Sequence, residues 1–102
     1  MSDGVGEVIE IGAGVSRVKV GDRVAGAFMQ QWLGGGIPAE APLSALCGAI
    51  DGMLAQYVVL SEQGVVKVPA HLTDDEAASL PCAAVTAWNA LMRQGEIGRA
   101  HV

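Results

Sequence analysis

The sequence predicts an α+β fold in which a small curled sheet of short strands is followed by two helices. Up to residue 68, apolar residues come in short runs separated by glycine-containing turns, a pattern typical of short strands. From residue 73 onward, the apolar spacing becomes that of a helix. Because strands come first and helices last, without alternation, the order favours α+β over a parallel α/β sheet.

The composition excludes several classes of function. The chain of 102 residues suits one small domain, and its 51% hydrophobic and 17% charged residues argue against disorder. A net charge of -5, with six scattered basic residues, argues against a nucleic-acid partner. No apolar run is long enough to span a membrane and no signal peptide is recognisable, so we expect a cytoplasmic protein without a membrane partner. Cys47 and Cys82 are expected to be buried, free thiols, with a single disulfide between them as the alternative.

Four apolar runs predict the strands, at 5–11, 23–25, 54–60 and 65–68. A short extended piece at 18–20 is expected to pair with 23–25 across the Gly21-Asp22 turn. The 54–60 run is apolar on both faces, which predicts a central strand.

Residues 26–53 predict a long loop excursion, because they show no period and contain three successive glycines and two prolines. Phe28, Trp32 and Leu33 are expected to anchor this excursion.

Thr73 and Glu76 have the spacing of a capping box and predict a short helix. Pro81 suits the first position of a second helix, which we expect to run to about Gln94 with Gly95 as its cap.

That second helix has two different stripes. The large apolar stripe, expected to enter the core, consists of Leu80, Ala84, Trp88 and Leu91. The stripe of small side chains is formed by Cys82, Ala83, Thr86 and Ala90. It could pack against a neighbouring element or line a ligand site with the Thr86 hydroxyl, and the residues alone leave both readings open.

No metal or nucleotide motif accompanies these elements. The two histidines and two cysteines lack zinc spacing, and no glycine pattern has the third glycine of a dinucleotide fingerprint. The residues by themselves predict an α+β domain of unknown activity and no metal site.

Four segments in order, 4–15, 18–24, 54–59 and 72–91, resemble the medium-chain dehydrogenase/reductase superfamily. The last contains Leu-Pro-Cys-Ala-Ala-Val-Thr-Ala-Trp. The resemblance implies that residues 1–95 form part of a GroES-like catalytic domain, a partial β-barrel, with the 26–53 excursion inside it. In the superfamily this domain packs against a Rossmann domain, which is absent from this sequence.

The sequence departs from the zinc-containing members at two places. Ser2 and Asp3 occupy the places of the histidine and glutamate in their Gly-His-Glu motif. The excursion, where those members carry four structural cysteines, has only Cys47. The resemblance is therefore to the zinc-independent alcohol dehydrogenases and quinone-reductase-like relatives.

The resemblance implies a fragment of an NAD(P)-dependent oxidoreductase that transfers hydride between the nicotinamide and a small carbonyl, alcohol or activated alkene. Thr86 matches the threonine near the nicotinamide end of the cofactor, while Ser2, Asp3 and Trp32 are weaker matches to the substrate pocket. No residue is assigned as catalytic, and no zinc is expected. The isolated chain is expected to be inactive without the Rossmann domain, and the resemblance allows a homodimeric parent. The alternative is a non-catalytic GroES-like module that binds a partner through an exposed apolar face.

The last six residues, 97–102, match one reading frame of a sequencing adapter. We therefore expect 96–102 to be a non-native tail, the alternative being a genuine divergent end.

Overall fold

Three short strands form one antiparallel sheet in the computed structural model, which describes residues 1–94. The strands are β1 (Val5–Glu7), β2 (Arg23–Gly26) and β3 (Val65–Lys67), in the spatial order β1-β2-β3. Val24 of β2 pairs with Gly6 of β1 on one side and with Lys67 of β3 on the other. Helix α1 (Asp74–Ala78) and a longer helical stretch over 80–94 follow the sheet, so the predicted α+β order is confirmed.

The first strand is shorter than predicted. It ends at Glu7, although the backbone of Val8 still bonds to the neighbouring turn through Val8 N–Asp22 O at 2.8 Å and Gly21 N–Val8 O at 2.8 Å. The predicted pairing of 18–20 with 23–25 is wrong, because both edges of β2 are already occupied by β1 and β3. The turn itself is present, with Gly21 at φ +98, a conformation that favours glycine.

The predicted central strand over 54–60 is also wrong. This segment has extended or bent backbone outside the sheet, and its side chains are open to solvent: Leu54 is 79%, Tyr57 76% and Val59 98% exposed. A central strand needs a hydrogen-bonded neighbour on each side. Within residues 1–94 the sheet ends at β1 and β3, so no strand flanks this segment.

The best-buried part of the chain lies in the 26–53 excursion. It contains a single 3₁₀ turn, Ala41–Ser44, and two isolated bridges, Met29–Ala45 and Leu46–Ile50. Leu46 is 1% exposed, and its N–H donates to the carbonyl of Phe28 at 2.8 Å. The excursion is therefore ordered around Leu46.

The anchors expected for this excursion were partly wrong. Trp32 and Leu33 are both exposed, while Phe28 is half-buried. Aromatic content alone did not locate the anchor, because burial depends on which other segments lie nearby.

Gln30 attaches the excursion to the start of β3. Its side chain is buried, and Nε2 donates to the carbonyls of Ala27 at 2.7 Å and Gly64 at 2.8 Å. A Cβ at Gly64 would overlap the Gln30 amide. Glycine is needed at position 64 to let this polar contact form.

Glu62 holds the 12–17 turn against the same region. Its carboxylate accepts hydrogen bonds from the backbone N–H groups of Arg17 at 2.9 Å and Ser16 at 3.1 Å. These bonds favour the charged carboxylate and lower the pKa of Glu62, with the Arg17 bond as the larger cause. The Arg17 guanidinium also donates a hydrogen bond to the backbone carbonyl of Glu62 at 2.6 Å.

The capping box that begins α1 is confirmed. Thr73 Oγ1 accepts from the Glu76 N–H at 3.2 Å, and the Glu76 carboxylate accepts from the Thr73 N–H at 2.9 Å. Two of the unpaired donors at the helix start are thereby satisfied.

The 80–94 helix is continuous but irregular. A π-helical turn (Leu80–Ala84) leads into α2 (Val85–Trp88), and a second π-helical turn (Asn89–Gln94) follows. The start is within one residue of the predicted Pro81. The expected cap, Gly95, and the expected non-native tail, 96–102, lie outside the described residues.

The large apolar stripe of this helix is not buried as predicted. Trp88 is 61% exposed, and Leu80 and Leu91 are also open. The three-stranded sheet is too small to cover the whole stripe. None of the helices in residues 1–94 has the length and apolar character required to cross a bilayer.

Candidate functional site

Asp3 joins the beginning of the chain to the start of the 80–94 helix. Its Oδ2 accepts a hydrogen bond from the backbone N–H of Ala83 at 2.9 Å, across 80 positions of sequence. Its Oδ1 is buried without a hydrogen-bond partner among the described residues. Because Pro81 has no N–H and the first N–H groups of a helix lack partners within it, the carboxylate satisfies a donor that would otherwise be unpaired.

Thr86 lies one turn beyond that contact on an exposed face of the helix. Its Oγ1 is 3.8 Å from the Sγ of Cys82, four residues earlier. A thiol is a weak hydrogen-bonding group, so the Thr86 hydroxyl remains able to bind a stronger partner. The small stripe predicted from the sequence is thus open to solvent at Thr86, Ala83 and Ala90.

Both cysteines are free, as expected, but neither is fully buried. Cys82 is partly exposed, and Cys47 is exposed with a positive φ of 60. The amino group of Met1 donates to the Cys47 thiol at 2.9 Å. The expectation of two buried thiols is wrong. Cys47 lies at the surface of the excursion, although the preceding residue, Leu46, is buried.

The other predicted pocket residues are distributed differently. Ser2 is partly exposed and adjoins Asp3 in sequence. Trp32 is exposed in the excursion, where its indole N–H donates to the carbonyl of Gly35 at 3.1 Å. The structure therefore links Asp3 to the helix of Thr86, while the hydrogen bond of Trp32 stays within its own loop.

An apolar cavity of about 230 Å³ lies between the sheet and the helices. Strands β2 and β3 form one side of it, and the facing side includes Ala77, Leu80, Pro81 and Val85. Lys67 is the one ionisable residue that lines it among the described residues. The cavity therefore offers mainly apolar contact.

A complete zinc-binding cluster does not occur among the described residues. Nowhere in residues 1–94 do three or more His, Cys, Asp or Glu side chains group closely enough to bind a metal. A structural or catalytic zinc requires at least three such ligands.

The sequence reasoning missed the backbone N–H of Ala83 as part of this region. A backbone donor has no side-chain signature. The available signal was Pro81 at the helix start, which predicts unpaired N–H groups in the following turn and hence an acceptor from elsewhere in the chain.

Comparison with known proteins agrees with this architecture. Residues 1–70 match the model of the alcohol dehydrogenase GroES-like domain family. A crystal structure from Sinorhizobium meliloti 1021, provisionally assigned as an alcohol dehydrogenase, superposes with a TM-score of 0.83 at 43% identity, covering 93% of this chain and 29% of that one.

Curated relatives include a zinc-type alcohol dehydrogenase-like protein of Schizosaccharomyces pombe, 41% identical over 95 residues, which span 93% of this chain and 28% of the relative. An alcohol dehydrogenase of Rhizobium meliloti is 35% identical over 92% of this chain and 31% of its own length. One from Geobacillus stearothermophilus is also 35% identical, over 91% of this chain and 30% of its length.

The sheet, the excursion and the trailing helices thus define a GroES-like domain fragment without a Rossmann domain among the described residues. The chain belongs to the alcohol dehydrogenase GroES-like domain family, within the medium-chain dehydrogenase/reductase superfamily. It spans less than a third of the length of the relatives it matches.

Proposed function

We propose that this chain is the part of an NAD(P)-dependent oxidoreductase that borders the nicotinamide, with Thr86 contacting the cofactor. The parent would transfer hydride between the nicotinamide and a small carbonyl, alcohol or activated alkene. The proposal rests on the accessible hydroxyl of Thr86, in a chain that belongs to the alcohol dehydrogenase GroES-like domain family. Its hydroxyl is exposed, weakly engaged by Cys82, and borne on a helix that Asp3 holds in place.

The bound nicotinamide supplies or accepts the hydride, and the protein binds and orients it. In this chain, the Thr86 hydroxyl can donate a hydrogen bond to a carbonyl or amide group of the cofactor. The small side chains of Ala83 and Ala90 leave space beside Thr86 for a flat ring. Ser2 and Trp32 remain proposed neighbours of the substrate.

We further propose that the parent works without zinc. Ser2 and Asp3 stand where the zinc-containing members have histidine and glutamate, and Cys47 is the only cysteine of the excursion. The Schizosaccharomyces pombe relative carries a zinc-type name. Zinc content of the purified parent, measured by elemental analysis, decides the point: a stoichiometric zinc ion would refute it.

Thr86→Val tests the cofactor contact, because valine keeps the shape and removes the hydroxyl. In the parent enzyme we expect KM for NAD(P)H to rise roughly three- to tenfold, the effect of losing one net hydrogen bond. Thr86→Ser is the matched control and should retain a KM near that of the wild type, since it keeps the hydroxyl. Equal KM values for the valine variant and the wild type would contradict the assignment.

The isolated chain is proposed to be inactive, because it supplies one candidate contact to the cofactor and no catalytic acid or base that we can assign. Turnover of an aldehyde or quinone with NADPH by the 102-residue chain alone would contradict this part of the proposal.

A second candidate function is a non-catalytic module that binds a partner. The exposed apolar side chains of Leu54, Tyr57 and Val59, close together in sequence, favour it, because exposed apolar surface can mark an interaction site. A cooperatively unfolding, monomeric chain without a response to NAD(P)H, together with an inactive parent, would favour the module over the oxidoreductase.

A further inference from the structure

The Asp3 carboxylate connects two parts of the molecule that are remote in sequence. Asp3 lies two residues before β1 (Val5–Glu7), and its Oδ2 accepts from the Ala83 N–H in the first turn of the 80–94 helix. It therefore ties the sheet directly to the helix start.

Ala83 and Thr86 are three residues apart on one face of the helix, so a shift of the first turn shifts Thr86 with it. The local hydrogen bonds of this turn are irregular. Ala84 N–H donates to the Ser79 carbonyl at 3.1 Å, five residues back, and Pro81 offers no N–H. Because Pro81 cannot donate, the acceptor that Asp3 supplies to the Ala83 N–H becomes important for the placement of this turn.

We propose that Asp3 is a positioning residue, whose carboxylate sets the place of the first turn of the 80–94 helix and thereby the place of Thr86. Asp3 acts through Ala83 and does not itself contact the substrate. This role differs from the substrate-pocket role that the family resemblance implies for Asp3. The proposal rests on the proposed function, since it requires Thr86 to bind the nicotinamide cofactor.

Three variants at position 3 of the parent enzyme separate the effect of the acceptor's position from the effect of the carboxylate charge. Asp3→Ala removes the acceptor. Asp3→Asn keeps one acceptor oxygen at the same reach, and Asn is as good a cap for helix N–H groups as Asp. Asp3→Glu keeps the charge but lengthens the side chain by one methylene. Asp75→Ala is the control, because Asp75 is an exposed carboxylate in the first turn of α1 (Asp74–Ala78).

Hydrogen exchange in the peptide that contains Ala83 reports on the contact without any need for activity. Asp3→Ala should accelerate exchange of the Ala83 amide by about two- to thirtyfold, the range expected for loss of a helix-capping acceptor. Asp3→Asn and Asp75→Ala should leave it near the wild-type rate. Unchanged exchange in Asp3→Ala would overturn the proposal at its first step.

Steady-state kinetics report on the position of Thr86. We expect Asp3→Ala and Asp3→Glu to raise KM for NAD(P)H several-fold, and Asp3→Asn to restore it. Combining Asp3→Ala with Thr86→Val should raise KM no further than Thr86→Val alone, because both changes remove the same contact. A role confined to stability would lower the melting temperature and leave this KM unchanged.

The outcomes distinguish the two proposals. If Thr86→Val raises KM but Asp3→Ala and Asp3→Glu do not, Asp3 is not a positioning residue, and the cofactor contact stands. If Thr86→Val has no effect while Asp3→Ala still accelerates exchange, the cofactor contact fails and the positioning proposal falls with it. If Asp3→Ala does not fold, the comparison of Asp3→Asn with Asp3→Glu decides: equal KM values would overturn the proposal.

Discussion

Leu46→Ala tests whether the 26–53 excursion contains the core of this chain. Leu46 is the largest fully buried side chain among the described residues, at 1% exposure. Its Cδ1 packs against β2 (Arg23–Gly26), since a Cβ added at Gly26 would lie 3.3 Å from it. Removing the side chain should therefore loosen the excursion from the sheet.

The magnitude follows from the atoms removed. Leucine to alanine deletes three carbon groups, which at about 0.8 kcal/mol each amounts to roughly 2.4 kcal/mol of lost burial. The cavity left behind adds to this, so we expect a loss of about 3 kcal/mol, within the roughly 2–5 kcal/mol range of buried leucine truncations. For a domain of this size the melting temperature should fall by about 12–24 °C.

Leu43→Ala is the matched control, three residues away in the same excursion. Leu43 is 72% exposed, so its truncation should change the free energy of unfolding by less than about 0.5 kcal/mol. Urea unfolding followed by the fluorescence of Trp32 and Trp88 gives both values. Equal losses for the two variants, or a loss below about 1 kcal/mol for Leu46→Ala, would refute the reasoning.

Two further predictions concern the contacts that hold the turns. Because the pKa of Glu62 is lowered from its ordinary value of 4.5 by the N–H groups of Arg17 and Ser16, its contribution to stability is complete above pH 4.5 and is lost as the pH falls below that value. Glu62→Gln should flatten the dependence of the urea midpoint on pH between about 3 and 5, and an unchanged slope would contradict this. Gly64→Ala should destabilise the chain by about 1–3 kcal/mol, because the new methyl group meets the buried Gln30 amide. Gly6→Ala is its control, since no atom lies within 4 Å of the added carbon, and equal midpoints for the two alanine variants would count against the Gln30 contact.

Sequence patterns were sufficient where the interaction is local. Thr73 and Glu76 are three residues apart, and the capping box forms as predicted because both partners are brought together by the helix they begin. Gly21 likewise marks a turn that depends on its own backbone freedom.

The same patterns failed where burial depends on remote neighbours. The 54–60 segment has strong strand propensity, yet propensity describes how well side chains fit a pleated, half-buried surface and supplies no partner strand. The apolar stripe of the 80–94 helix was expected in the core on its period alone. The period identifies a face, while the size of the sheet decides how much of that face is covered.

The sequence by itself determined the α+β order, the start of α1 and, through ordered segments, the family. Tertiary structure decided that Leu46 rather than Trp32 is the buried anchor, and that Asp3 reaches the Ala83 N–H at 2.9 Å. The physical reason is sequence separation. A contact across 80 positions depends on the path of every element between its ends, and a backbone N–H carries no side-chain signal that marks it in the sequence.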